Sequence, residues 1–344
     1  MGQEKSTDRV TSLEVARRAG VSQSAVSRVF TPGASASQKT IDKVRRAASE
    51  LGYRPNVLAR SLITGRSRII GVVVGYLENL FYPEALENLS NALQAEGYHV
   101  LVFMASNSSD NIETVVQEIL DYQVDGIVLA SVGLSSDLAG RCTDAGIPVV
   151  LFNRSQDDAR LSAVTSDNVE GGRKLAEFLV AGGHSRIAYI AGWEEASTQR
   201  DREAGFRAGL EAAGQTLWAR DCGEFSYPAA QAAARRMFAG ADRPDAVFVG
   251  NDHMAFAVMD TLRFELGLSV PDDVSVVGYD DVMASAWPSF DLTTVRQPAR
   301  RMVSETVRML LGRIDGAASA PERTTIDGPL IVRGSARKPE GWTP

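Results

Sequence analysis

The chain is 344 residues long, enough for two or three domains. With 44% hydrophobic and 7% aromatic residues it is neither low-complexity nor disordered and can bury a full core. Its net charge of −7 is unevenly spread: residues 1–68 hold 13 Lys+Arg against 5 Asp+Glu, the remainder 23 against 38. A basic head on an acidic body is the electrostatic footprint of a nucleic-acid module joined to something else.

Two cysteines, Cys142 and Cys222, are too few for a disulfide framework and fall in different predicted elements, which points to a reducing cytoplasm. The opening MGQEKSTDRV is polar, with no apolar core of a signal peptide. No apolar run reaches the ~18 residues expected of a membrane span.

Residues 1–9 read as a tail and about 10–53 as an all-α head. Thr11 and Glu14 form a capping box ahead of the apolar positions Leu13, Val15, Ala16 and Ala19, and Gly20 closes the helix. Ser22 caps a second helix, Gln23 to Phe30. Ala25, Val26 and Val29 face inward, leaving Gln23, Ser24, Ser27 and Arg28 free to point out. TPGASAS is a loop. A third helix, about Gln38 to Leu51, carries Ile41, Val44, Ala48 and Leu51 on its core face and ends at Gly52. A short, polar-faced second helix after a glycine turn suits a major groove, although an ordinary three-helix bundle has the same pattern.

The run EVARRAGVSQSAVSRVF, then ELGYRPN, ARSL and a strand beginning IIGVVV, resembles the LacI family of bacterial transcription regulators (lactose- and purine-repressor-like). The resemblance implies base reading by Gln23, Ser24 and Arg28, and further DNA contacts at Thr11, Ser22, Ser27, Asn56, Ala59 and Leu62. It also implies that the linker, 54–67, becomes helical only on operator DNA, beside the same segment of a second subunit. Leu62 matches the family's minor-groove wedge; without the resemblance it reads as a plain linker residue. Asn56 to Ile63 is too short to be a stable helix alone.

From Ile69, apolar runs alternate with helical patterns, which means parallel α/β sheets. Strands are expected at 69–75, 99–105, 126–131 and 148–153, then in a second series at 163–167, 186–192, 246–252 and 274–280. Helices are expected at 83–96, 111–122, 136–145, 169–182, 201–213, 228–239, 253–266 and 299–312. The series breaks near the polar QDDARLS at about 160, and TTVRQ (293–297) and PLIVRG (329–334) can return to the first sheet. The expected body is a two-lobed clamp, with one lobe at 68–160 plus 296–335 and the other at 161–295. It matches the family's periplasmic-binding-protein-like core.

Polar residues at strand ends mark the cleft of such a sheet. Asn153-Arg154, Asn251-Asp252 and Asp280-Asp281 end strands, Arg202 opens a helix, and Phe81-Tyr82 follow the first strand. Carboxylates, amides, a planar guanidinium and rings together suit a hydroxylated ligand, although strand-end Asp and Asn also cap helices. The resemblance implies effector contacts at Asn251, Asp280 and Arg202. Further positions are Thr198, Phe81, Tyr82 (used by the purine-responsive branch), Gln297 at the lobe crossing, and Asn153, where relatives often have Asp. Asp252 and Asp281 are expected to hold loops. His99 and His184 are expected to be structural, and His253 is a candidate for facing the cleft. No metal-ligand spacing, P-loop, GxGxxG, HExxH or GxSxG is present, so neither metal, cofactor nor catalysis is expected.

The reading is a cytoplasmic, ligand-responsive repressor, a homodimer on near-palindromic double-stranded operator DNA, with a small metabolite (sugar or sugar-acid type) between its lobes. The tail RKPEGWTP has no Leu heptads, so a coiled-coil tetramer is not expected. The alternatives are a sugar-metabolising α/β enzyme with an appended head, and a solute-binding protein.

Overall fold

The computed structural model describes residues 10–31, 34–54, 66–105, 109–132, 135–318 and 320–341. The chain divides into two compact units, 1–67 and 68–344.

The first unit is helical. Helix α1 (Ser12–Ala19) begins at the reciprocal Thr11–Glu14 capping box and ends at Gly20, whose φ of 66° is the left-handed cap that glycine takes without strain. Helix α2 (Gln23–Val29) is capped by Ser22, whose hydroxyl accepts from the Ala25 amide. Helix α3 (Gln38–Leu51) is capped by Ser37. Val15, Ala16, Val26, Val44, Ala47 and Ala48 are buried together. Leu13, expected on the core face, is instead 44% exposed; Val15 and Ala16 take the side that meets α3, and one helix side cannot serve all three. The linker positions Asn56, Ala59 and Leu62 lie outside the described residues.

The second unit has two six-stranded sheets. Sheet 1 contains β1 (Ile69–Val74), β2 (His99–Met104), β3 (Gly126–Ala130), β4 (Val149–Phe152), β5 (Ser162–Ser166) and β11 (Arg323–Ile326), in the order β11-β5-β4-β3-β1-β2. Sheet 2 contains β6 (Ile187–Ala191), β7 (Ala219–Cys222), β8 (Ala246–Val249), β9 (Ser275–Asp280), β10 (Thr293–Arg296) and β12 (Leu330–Ile331), in the order β12-β10-β9-β8-β6-β7. All pairings are parallel except β10 with β12. The first lobe carries α4 (Phe81–Ala95), α5 (Ser109–Asp121), α6 (Ser136–Asp144) and, against α4, α11 (Ala299–Ile314). The second carries α7 (Asn168–Ala181), α8 (Ser197–Ala212), α9 (Tyr227–Phe238) and α10 (Asp252–Asp260), which runs on into a π-helical turn, Thr261–Glu265.

Three expectations are corrected. Strand β5 belongs to sheet 1, beside β4, and not to the second series. TTVRQ and PLIVRG enter sheet 2 through β10 and β12, so the expected lobe boundaries at 160/161 and 295/296 move. The chain leaves lobe 1 after β5, returns at α11, and leaves again after β11. Strands β7 and β11 were not expected: both are edge strands, half-exposed and polar (ARDC and RTTI), with no continuous apolar run to announce them.

The body's first residue is clamped. The Arg68 amide donates to the Asp125 carboxylate at 3.0 Å, its carbonyl accepts from the His99 amide at 2.8 Å, and its guanidinium lies 4.9 Å over the Tyr98 ring. The end of the linker is thereby tied to the amino-terminal edge of sheet 1.

Helices α7 and α8 cross at glycines. A methyl group at Gly205 would stand 1.8 Å from the Val169 carbonyl oxygen, and one at Gly172 would stand 2.2 Å from that of Arg202. Backbone cannot yield as a flexible side chain does, so the close crossing requires glycine on both helices. Replacing helical glycine with alanine ordinarily stabilises by ~1 kcal/mol. At this crossing overpacking outweighs that gain, and Gly205→Ala is expected to cost about 1–3 kcal/mol net, read as a lower urea midpoint at unchanged slope. A midpoint at or above wild type would mean that the helices separate without loss.

Candidate functional site

Both sheets have the doubly wound order in which the chain reverses direction beside the first strand: between β1 and β3, and between β6 and β8. Ligands of such sheets bind outside the carboxyl ends of the strands at that switch point. Here the carboxyl ends of the two sheets share one set of side chains.

Arg202, on α8, is 2% exposed, and each of its three nitrogens has a protein acceptor. Nε donates to Asn168 Oδ1 at 2.9 Å, Nη1 to the Gly250 carbonyl at 2.6 Å, and Nη2 to Asp280 Oδ1 at 3.3 Å. The guanidinium lies 3.7 Å over the Tyr279 ring. Asp280, at the end of β9, also accepts from Gln297 Nε2 at 2.7 Å and, from the other lobe, Asn79 Nδ2 at 2.9 Å. Asn79 Oδ1 accepts from the Phe81 amide at 3.0 Å. In lobe 1, Asn153 Nδ2 donates to the Tyr82 hydroxyl at 2.9 Å, and Tyr82 meets Tyr76 edge-on at 5.1 Å. Asn251 caps α10 by accepting from the Met254 amide at 2.9 Å.

The structure therefore brings Phe81, Tyr82, Asn153, Arg202, Asn251, Asp280 and Gln297 to facing strand ends. Thr198 is buried one helical turn before Arg202. Asn79, Asn168 and Trp193 were missed because the partners they serve lie far away in the chain, and Tyr76 and Ser131 because they stand in no motif.

Four residues at these strand ends hold left-handed backbone without being glycine: Ser131 (φ 71°), Asn153 (72°), Asp280 (131°) and Asp281 (56°). Such conformations cost of order 1–3 kcal/mol each and cluster at ligand sites. Among the described residues, Ser131 Oγ, Asn153 Oδ1, Arg154 Nε, Asn251 Nδ2, His253 Nε2 and Gln297 Oε1 are buried with no protein hydrogen-bond partner; outside this group only His184 Nε2 and Gln215 Oε1 share that state. Buried polar atoms are nearly always paired, so a cluster of unpaired ones at the switch points is the mark of a ligand site. A cavity of about 380 Å³ opens beside them between the lobes, lined by Phe81, Glu84, Asp280, Val282, Gln297 and Arg300. In a larger one of about 480 Å³ beside β5 and β11, Asp167 caps α7 and Arg323 donates to two carbonyls.

The expected loop holders behave as such. Asp252 accepts from the Val282 amide and from the Ser285 and Thr294 hydroxyls; Asp281 binds Arg296 and Arg333, each at 2.6 Å. His184 bonds Asp245 at 3.2 Å, and His99 opens β2 at the surface. His253 packs on Tyr227, and burial lowers its pKa against the opposing pull of the Glu78 and Asp280 carboxylates.

In the head, Gln23, Ser24, Ser27 and Arg28 are all exposed on α2, as expected. Gln23 donates to Ser12 at 2.9 Å and Ser24 bonds Ser22 at 3.0 Å, which orients that face. Thr11 is exposed and held by Glu14.

A family model for bacterial regulatory proteins of the lacI family matches residues 11–56, and one for a periplasmic binding protein-like domain matches residues 176–336. The HTH-type transcriptional repressor PurR of Vibrio vulnificus (strain CMCP6) is 31% identical over 95% of this chain and 99% of its own. The chain belongs to the lacI family. A solved complex of the transcriptional regulator CelR with cellobiose is 32% identical, covering 95% of this chain and 100% of the other, with a TM-score of 0.72. The lac repressor dimer bound to operator and the anti-inducer ONPF is 30% identical over 95% and 99%, with a TM-score of 0.86. This lacI-family member is thus a DNA-binding transcription regulator with a periplasmic-binding-protein-like body, and no described helix is long and apolar enough to cross a membrane.

Burial and the nearby Asp280 carboxylate raise the Asp252 pKa to about 7. Burial raises Asp280 as well, against the pull of Arg202. A carboxyl whose folded pKa exceeds its unfolded value of ~3.9 keeps a proton that the unfolded chain releases. Asp252 therefore favours the fold most below about pH 4, and that advantage is lost as the pH climbs to about 7. The melting midpoint of ligand-free Asp252→Asn is expected to fall less than that of wild type between about pH 5 and pH 7.5. Parallel curves would show Asp252 ionised throughout.

Proposed function

We infer that the head, 10–53, reads a near-palindromic operator through α2, that 54–67 is the hinge, and that the lobes of the body enclose a small hydroxylated effector of sugar or sugar-acid type. The regulator works in the cytoplasm as a repressor and a homodimer, since one head covers only a half-site. The observation that carries this reading is the cluster of unpaired polar atoms at the facing switch points, in a chain whose head has an exposed Gln-Ser-Arg helix face. The lac repressor dimer on operator and the cellobiose complex of CelR support it by likeness. No catalytic step is assigned to the cleft: the carboxylate of Asp280 accepts from Arg202, Gln297 and Asn79, and that of Asp252 from an amide and two hydroxyls.

Selection from a random duplex library with the full chain tests the reading, with one enriched near-palindrome as the expected outcome. On that site Arg28→Ala is expected to lose roughly 1–3 kcal/mol and to relax preference at one base pair, because an arginine can take a guanine bidentately. Equal losses on selected and random DNA would reduce Arg28 to a phosphate contact. Asp280→Asn keeps the shape of the site but removes the negative charge facing Arg202 and turns one of the two acceptor oxygens, which serve Arg202 and Gln297 on one side and Asn79 on the other, into a donor. It is expected to bind the selected site as wild type does while its release or tightening by effector is lost; an unchanged response would remove Asp280 from the site.

A further inference from the structure

Two arginines lie buried between the lobes, and only one is neutralised. Arg202 faces Asp280 and has an acceptor on every nitrogen. Arg154, which follows Asn153 at the end of β4, is 6% exposed. Among the described residues it has neither an ion pair nor a hydrogen bond, and its Nε is buried and unpaired. Its guanidinium lies 5.3 Å from the ring of Trp193, which follows β6 in the other lobe. It also acts electrostatically on Tyr76, at the end of β1. Arg154 therefore lies among strand ends of both sheets, in the ligand site itself.

An arginine cannot shed its proton, so a buried one is satisfied only by acceptors and a counter-charge. The face of an indole attracts the cation without neutralising it. Neutral hydroxyls accept hydrogen bonds but leave the charge uncompensated. Asp280 is already committed to Arg202, and Asp252 is engaged with Val282, Ser285 and Thr294. Resting on the reading of this cleft as the effector site, we propose that the effector carries an anionic group, a carboxylate or a phosphate, bound by Arg154, and that Arg154 selects it over the neutral parent sugar. Trp193 fixes the guanidinium plane, so that the fork can meet two oxygens of the anion at once.

The test melts the full chain in inorganic phosphate, gluconate or glucose 6-phosphate, against chloride at matched ionic strength and against glucose. At least one of the three anions is expected to raise the wild-type midpoint by several degrees, through preferential binding to the folded state. The shift is lost in Arg154→Leu and partly kept in Arg154→Lys, which retains the charge without the fork. Response to gluconate alone assigns a carboxylate; response to phosphate or glucose 6-phosphate assigns a phosphate. The proposal is overturned if none of the three anions shifts the midpoint, if the shift survives in Arg154→Leu, or if glucose shifts it as much as its anions do. Ligand-free Arg154→Leu is expected to melt at or above wild type, since the charge it removes has no partner. Melting well below wild type would make Arg154 a support of the fold and also overturn the proposal. Each of these failures leaves selection of a duplex intact, whereas a wild-type chain that selects no duplex defeats the regulator reading whatever the anions do.

Discussion

The Arg202–Asp280 pair is the constraint around which the cleft is built. Two charges at 2% side-chain exposure lose most of their hydration, a cost that Coulomb attraction at 3.3 Å does not offset without further hydrogen bonds. The surroundings supply them: Asn168 and the Gly250 carbonyl for the cation, Asn79 and Gln297 for the anion, and the Tyr279 ring beneath the guanidinium. These partners come from α7, β8, β9, the segment before α4 and the lobe crossing. Satisfying one ion pair therefore fixes the relative positions of five parts of the body. The glycine crossing of α7 and α8 serves the same pair, because only at that separation do Asn168 and Arg202 meet.

The contrast with the unpaired atoms is instructive. Around the Arg202–Asp280 pair, every nitrogen of the guanidinium and both carboxylate oxygens are matched. At Ser131, Asn153, Arg154, Asn251 and Gln297 matching is incomplete, and Ser131 and Asn153 also hold left-handed backbone. Preorganisation of this kind lowers the ordering cost of binding and shifts it to folding, where the large shared core of the two lobes bears it.

Much of this was legible in the sequence because the signals were local. Caps at Thr11, Ser22 and Gly20 act within three or four residues, and strands buried on both faces read as continuous apolar runs such as IIGVVV. Strand-end polar residues such as Asp280 and Asn251 were legible for the same reason. What failed was non-local. Nothing within TTVRQ or PLIVRG records which of two similar sheets it joins, and their assignment to the first sheet was wrong. Asn79 lies 201 residues from the carboxylate it serves, and Trp193 faces an arginine from the other lobe. The polar edge strands β7 and β11 bury too little apolar surface to leave a pattern.

The route of the chain restricts how information can leave the cleft. It enters the body at Arg68, goes straight into β1, and crosses to the second lobe only after β5. The second lobe, which holds Arg202, Asn251 and Asp280, consequently has no covalent path to the head except back through the first. Along the chain, its movements pass to sheet 1 through the three crossings and through bonds between the lobes, among them Asn79 to Asp280, Ser155 to Ser197 and Ser166 to Tyr279. At the far end Arg68 is pinned by Asp125, His99 and Tyr98, so it follows that sheet without slack. The first lobe is thus a transmission as much as half of a binding site, and substitutions along β1 can uncouple cleft from head without touching either.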